Sequence, residues 1–532
     1  MQSLGINAVT VVAFVIVARL ISPTEMGIWA ILMLLNATCL AFVTWFPQSI
    51  TKYVAENSSK GSMSAAAAAF YQGLRANLIL YLPAVTIIYV GASFLSFHLI
   101  GDASYAPLFQ ILALDAFFFG GIIPIAVAAL LGLRKFRETA LVGLIMQGVF
   151  RQILIISLLF LMKSFIGLVI GWLLSDMAAA AIYLVIVIRA LGGPRFNFPL
   201  IKLFRFYLPL EVQQIVGYAA TWFDRAVLAL FVPLATLGIY NVAATAFGVL
   251  LGVSGSLVNT LFPAFSSIQD KKVKLSDAIR WATRYACLTL TPIDFGLLAT
   301  ARPVLDLFFG HAYLAGVVPL MIFCAIDGIT VFSTAFTPAL LALEETKELT
   351  FVFAICVGIS FTIAYLIVPR MGIVGAALAR ALVLCAAQFF FIFVLRRKVT
   401  LQIDLTMVAK TLIAGTVMAV VVLAAQHVHY SKFFLPAYVL IGGAVYLAAL
   451  RLLKAVDVAD IDLLRRYLGN RMLLISGILG WILLPTISSN LPHNSPQIGD
   501  SNVLQQDLRS CPNCKSSQPL THRFCDNCGK EQ

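Results

Sequence analysis

Long apolar runs, each of roughly the length that crosses a bilayer and each ended by charged residues or by Pro and Gly, follow one another along the chain to about position 453. A hydrocarbon core about 30 Å thick takes roughly 20 helical residues to span. Cut at these breaks, the sequence predicts fourteen spanning helices, at approximately 4–21, 27–47, 76–99, 107–131, 140–161, 166–188, 207–231, 237–262, 281–300, 313–341, 349–368, 372–395, 405–426 and 433–453. The runs are continuous and do not alternate with period two, so they predict helices and not the strands of a membrane barrel.

Lys and Arg collect on cytoplasmic connections, which tests the cut. The even-numbered connections, with the stretch after the fourteenth segment, hold 25 Lys and Arg, whereas the odd-numbered ones hold 5: Arg19, Lys163, Arg302, Arg370 and Lys432. This bias predicts a multi-pass protein of the cell membrane with its N-terminus in the cytoplasm. Met1 to Thr10 contains no basic residue, so the first segment is not read as a cleaved signal peptide.

An internal repeat runs through the segments. Ala129, Leu130, Leu131, Leu133 and Glu138 close the fourth segment, and Ala339, Leu340, Leu341, Leu343 and Glu348 close the tenth, 210 positions later. Pro23, Gly27, Ile28 and Trp29 correspond to Pro233, Gly238, Ile239 and Tyr240; Phe46, Pro47, Ser49 and Ile50 to Phe262, Pro263, Ser266 and Ile268; and Asp115 to Asp327. Six spans per repeat predict two parallel six-helix lobes related by an axis along the membrane normal, with a cavity between them, an architecture of transporters.

Composition narrows the class. Of 532 residues, 61% are hydrophobic and 11% charged, against about 25% charged in soluble domains. A soluble enzyme or nucleic-acid-binding domain is thereby excluded for the bulk of the chain. The net charge of +13 does not point to nucleic acid either: 488–532 carries equal numbers of acids and bases, so the surplus belongs to the membrane part. Cys39, Cys287, Cys324, Cys356 and Cys385 are scattered singly through apolar stretches and read as small hydrophobes, not as a disulfide framework.

Ala18, Arg19, Leu20, Ser22, Pro23, Glu25, Gly27, Ile28 and Trp29, with Asp224, Arg225, Gly238, Ile239, Tyr240, Ala243, Phe262 and Pro263, resemble the corresponding stretches of polysaccharide flippases in the multidrug/oligosaccharidyl-lipid/polysaccharide exporter superfamily. The resemblance covers about residues 1–470. It implies an all-α polytopic membrane protein, a V-shaped pair of six-helix lobes with two C-terminal helices, that moves lipid-linked oligosaccharides across the membrane without being an enzyme. The chain departs from the family pattern in beginning almost at the first helix and in its C-terminal extension. The organisation expected is one lobe at 1–205, a second at 206–400, two more spanning helices at 401–453, an amphipathic and short apolar segment at 454–487, a linker at 488–510 and a metal module at 511–532.

Ionisable residues inside a membrane are costly and are candidates for function. Here they are Asp115, Arg151, Asp176, Glu211, Asp224, Arg225, Asp294, Asp327 and Arg380. A lipid-diphosphate headgroup is a polyanion, and the planar fork of Arg suits phosphate oxygens. Arg151, Arg225 and Arg380 are therefore the candidates for headgroup binding, with Arg19 at the outer mouth. Asp224 is expected to fix Arg225 or join a gating network, and Asp115 and Asp327 to do likewise. The alternative is that these groups pair with one another to hold helices together; Asp176 is read that way.

After the last span, 454–471 alternates apolar and charged residues as a surface helix does, and 472–487 is short for a span. Cys511, Cys514, Cys525 and Cys528 form two C-x-x-C knuckles ten residues apart, the spacing of a zinc ribbon whose four thiolates hold a structural zinc ion. Zinc thiolates favour the reducing cytoplasm, and a closed four-sulfur site predicts docking to a cytoplasmic protein and no catalysis. Membrane lipids and a lipid-linked glycan are the other partners expected. Three competing readings remain: a cation-coupled multidrug exporter of the same superfamily, a membrane-embedded glycan polymerase or glycosyltransferase, and a scaffold subunit. No phosphate loop is present, so nucleotide hydrolysis is not expected to drive the work.

Overall fold

The computed structural model describes residues 2–268 and 272–456 and two short strands at 508–510 and 517–519. Helices follow one another: α1 (Gln2–Leu20), α2 (Pro23–Val43), α3 (Pro47–Ser59), α4 (Met63–Val90), α5 (Ala92–Ile100), α6 (Ala106–Ala116), α7 (Ile123–Gly132), α8 (Phe136–Val142), α9 (Arg151–Met162) and α10 (Ile166–Leu191). Then come α11 (Leu200–Phe231), α12 (Leu234–Ser266), α13 (Lys272–Val304), α14 (Val317–Thr330), α15 (Phe336–Ala342), α16 (Thr346–Lys398), α17 (Leu405–Val428) and α18 (Leu435–Leu452). The strands β1 (Leu508–Ser510) and β2 (Ser517–Pro519) pair antiparallel. The amphipathic helix, the short apolar segment, the linker and the four zinc cysteines expected beyond residue 456 lie outside the described residues.

Ten of the described helical segments are long and apolar enough to cross a membrane. Each of the fourteen predicted stretches is helical. The eleventh and twelfth follow one another within α16 as two helices separated, as predicted, by a kink at Gly372, where φ is +54°. The first, seventh and ninth, in α1, α11 and α13, fall outside those ten. Two predicted spans are interrupted by wide π turns, Phe117–Ile122 between α6 and α7 and Gly143–Phe150 between α8 and α9. Large apolar side chains such as Leu161, Phe389 and Leu440 stand mostly exposed on the outside of the bundle, as they do in a protein whose solvent is lipid.

Local chemistry sets the helix ends. Ser22 caps α2: its hydroxyl accepts from the Glu25 amide, and the Glu25 carboxylate accepts from the Ser22 amide at 2.7 Å. This reciprocal box satisfies two amides that the first turn leaves over. Phe46 takes the left-handed conformation, φ 84°, to turn the chain from α2 into α3 ahead of Pro47. The repeat read from the sequence is written in the backbone too. After α7, Leu133, Arg134 and Lys135 donate back to Ala129, Leu131 and Leu130; after α15, Leu343, Glu344 and Glu345 donate back to Ala339, Leu341 and Leu340. The residue that turns left-handed is Arg134 (φ 59°) in one and Glu344 (φ 62°) in the other.

α1 and α3 to α10 pack mainly among themselves, α12 to α16 form a second group along which α11 lies, and α2 packs mainly on α12 and α11. The two groups meet where α2 crosses α12. The approach is so close that a Cβ on Gly27 would stand 1.9 Å from the Leu234 carbonyl oxygen, and one on Gly238 would stand 2.1 Å from the Pro23 carbonyl oxygen. At this end one apolar core runs through both groups. Toward Gln48 the core of the first group, built on α3, α4, α7 and α10, is separate, and a cavity lies beside α2 and α11.

Candidate functional site

That cavity measures about 590 Å³ and is walled by Ala37, Leu40 and Ala41 of α2, Gln48 of α3, and Leu210, Gln213, Gln214, Gly217, Tyr218, Thr221 and Trp222 of α11. α11 supplies most of this surface because one face of it, read at helical spacing, is polar within an otherwise apolar segment. Pro209 lies inside the helix just before this face.

Within one turn beyond the wall, the same helix and its neighbour α16 bring three of the expected residues together. The Asp224 carboxylate is fully buried. It accepts from Arg380 Nη1 at 2.8 Å and from the Tyr240 hydroxyl at 2.6 Å, and lies 3.8 Å from Arg225 Nη1. Arg225 also donates from Nε to Asn241 Oδ1 at 3.0 Å and lies 4.9 Å from the Trp222 ring centre. Both guanidiniums reach the Thr221 carbonyl, Arg380 at 3.1 Å and Arg225 at 3.3 Å, so the cluster sits directly against the cavity lining. Two arginines share one carboxylate. No second acid pairs with them among the described residues, which leaves one uncompensated positive charge at this end of the cavity.

The other expected residues lie elsewhere. Arg151 forms an ion pair with Asp176 and donates to Ser175 Oγ at 3.2 Å, and its guanidinium is 5.0 Å from the Trp172 ring centre. It borders a second, smaller cavity of about 300 Å³ between α1, α9 and α10. Asp115 is buried near this pair and accepts from Asn36 Nδ2 at 3.2 Å. In the other group Asp327 faces Asp294, whose two carboxylate oxygens are buried without a hydrogen-bond partner. Arg19 sits where the two groups touch and donates to the backbone carbonyls of Asp306, Leu307 and Phe308, 2.9 Å to the last. Its donors go to the other group and not to the cavity.

The sequence marked Tyr240 only as a landmark of the repeat and of the family resemblance; its contact with Asp224, the Asn241 contact with Arg225, and the glutamines and aromatics of the wall were passed over. Gln213 and Gln214, adjacent amides inside an apolar run, were the available signal.

Residues 16–318, more than half of the chain, match the family described as polysaccharide biosynthesis protein. The chain belongs to this family. Within curated sequences it is 24% identical over 183 residues to a probable low-salt glycan biosynthesis flippase of Haloferax volcanii, covering 34% of this chain and 39% of that one. It is 25% identical over 317 residues to the succinoglycan biosynthesis transport protein of Rhizobium meliloti, covering 58% of this chain and 60% of that one. The matches thus span less than two thirds of either relative. Its fold is similar to that of a lipid II flippase in an inward closed conformation, with a TM-score of 0.63 at 16% identity over 85% of this chain and 100% of the other. An inward-facing multidrug resistance MATE family transporter of the MOP superfamily gives 0.58 at 15% identity, over 75% and 94%. At these identities the likeness is one of fold: this family member is a helical, multi-pass membrane protein of the kind seen in both.

Proposed function

We propose that this protein is a flippase, and not an enzyme, that carries a lipid-linked oligosaccharide or polysaccharide precursor across the cytoplasmic membrane by alternating access between two six-helix lobes. The observation that carries the reading is the Asp224, Arg225 and Arg380 cluster with its uncompensated positive charge against a central cavity. A phosphate of a lipid-linked headgroup would meet Arg380 and Arg225 there, in surroundings where a charge-assisted bond is strong. The names of the two curated relatives point the same way. A cavity wall without an acid speaks against a cationic drug as cargo.

In the fourteen-span topology with the N-terminus inside, Pro23 and Gly238 lie at the outer surface and Gln48 toward the cytoplasm. The conformation described is then closed outside and open to loading from inside, with Arg19 as part of the outer closure and not a substrate contact. Arg151 with Asp176 and Asp115, and Asp327 with Asp294, act in this reading as charge networks within the lobes. Deleting the protein should accumulate lipid-linked glycan on the inner leaflet. Arg225→Ala and Arg380→Ala should each cut glycan export at least about tenfold at normal protein level, since a lost charged contact is worth roughly 1.5–3 kcal/mol. Full export by either Ala variant would overturn the role.

The proposed zinc ribbon of Cys511, Cys514, Cys525 and Cys528 belongs to the same reading as a cytoplasmic docking module. One zinc per chain in the purified protein, lost in Cys511→Ser, is expected. Labelling of Cys511 by an impermeant thiol reagent in chelator-treated intact cells would instead put the ribbon outside.

A further inference from the structure

Neither Arg225 nor Arg380 lines the cavity: both stand behind Thr221, whose carbonyl they share, and make that end of it cationic, whereas none of the residues that line the wall is Lys, Arg, Asp or Glu. The wall offers the amides of Gln48, Gln213 and Gln214, the hydroxyls of Tyr218 and Thr221, and the indole of Trp222. Gln48 and Gln213 are exposed to the cavity and spend no hydrogen bond on the protein among the described residues, so both of their amides are free to a ligand. Gln214 is fixed, donating to the Tyr207 hydroxyl at 2.9 Å, and Tyr218 is fixed by a hydroxyl contact with Thr38. Gln213 precedes Thr221 by eight residues on one helix, which sets the free amide roughly 12 Å from the cationic end.

We infer that this wall takes an uncharged, hydroxyl-rich saccharide segment, next to the anionic group held by Arg380 and Arg225, and selects against acidic sugars. The inference rests on the reading that the Arg-ended cavity is the substrate site. Amides that both donate and accept match the paired hydroxyls of a sugar, and flat aromatic rings match its apolar face. The wall has no counterion for a second negative charge. A uronic acid carboxylate there would exchange water for neutral amides, at a cost that nothing in the wall repays. The single surplus charge lies about 12 Å away and is already engaged by the phosphate.

The test uses the full-length protein in nanodiscs and three probes: inorganic diphosphate, a short-chain isoprenyl diphosphate bearing one hexose, and the same lipid bearing one hexuronic acid. The hexose lipid is expected to bind at least about tenfold more tightly than the hexuronic lipid, a difference of roughly 1.4 kcal/mol. Gln213→Lys, which adds a cation at a cavity-exposed position, should shrink or reverse that ratio by at least about tenfold while leaving diphosphate binding in place. Equal or tighter binding of the hexuronic lipid to the native protein overturns the inference, even with diphosphate still bound. Failure of all three probes to bind, or undiminished diphosphate binding in Arg380→Gln, overturns the underlying assignment of the site instead.

Discussion

Asp224 is the residue on which two arginines and a tyrosine converge, and removing it leaves both guanidiniums buried without their acid. Asp224→Ala should lower stability by about 3–5 kcal/mol, the usual penalty for orphaning a buried charge. The measurement is the thermal midpoint of the detergent-solubilised protein, and a midpoint equal to that of the native chain would show that the arginines do not depend on it. Asp294 is the contrasting case: its oxygens are buried without hydrogen bonds, so Asp294→Asn forfeits no ion pair and should keep or raise the same midpoint. A clear fall would reveal a partner. The sequence marked both acids as intramembrane charges by the same rule. It could not distinguish them, because what differs is whether helices distant in the chain, α16 for Asp224 and α14 for Asp294, deliver a cation or another carboxylate.

α2, α11 and α12 are the elements on which the site turns. α11 carries cavity wall and charge cluster on one helix, and the α2 and α12 crossing lies beside that cluster, where Tyr240 and Asn241 follow Gly238. Gly27 and Gly238 are there because each faces backbone carbonyl of the other helix at distances that admit no side chain. Gly27→Val or Gly238→Val should therefore force the crossing apart. The expected readout is faster labelling of a cysteine placed at Met26, which is buried at the crossing, by an externally added thiol reagent, with export reduced; unchanged labelling would mean that the crossing is not the closure. Helical periods and charge bias made the helices legible. The π turns at Phe117–Ile122 and Gly143–Phe150 were not, since each depends on backbone geometry that an apolar run does not encode; the break at Gly372 was, since it falls at the predicted boundary between the eleventh and twelfth stretches.

At the scale of the whole molecule, the repeat was legible because matched residues recur near an offset of 210, and the same turn, with its left-handed Arg134 or Glu344, recurs in the backbone. What spacing could not give was that the matched stretches Pro23 to Gly27 and Pro233 to Gly238 touch each other. A contact in which a patch meets its own repeat copy has the form of a self-complementary, two-fold interface. An undivided chain is then not required for the closure: each half carries a complete surface for the other. Fragments 1–195 and 196–532, divided in the connection between α10 and α11 and expressed together, should co-purify and restore export, and Gly238→Val in the second fragment alone should break the pairing. On this view the molecule is a dimer that happens to be joined by a peptide bond, and a single half, doubled, would have had the same door to close.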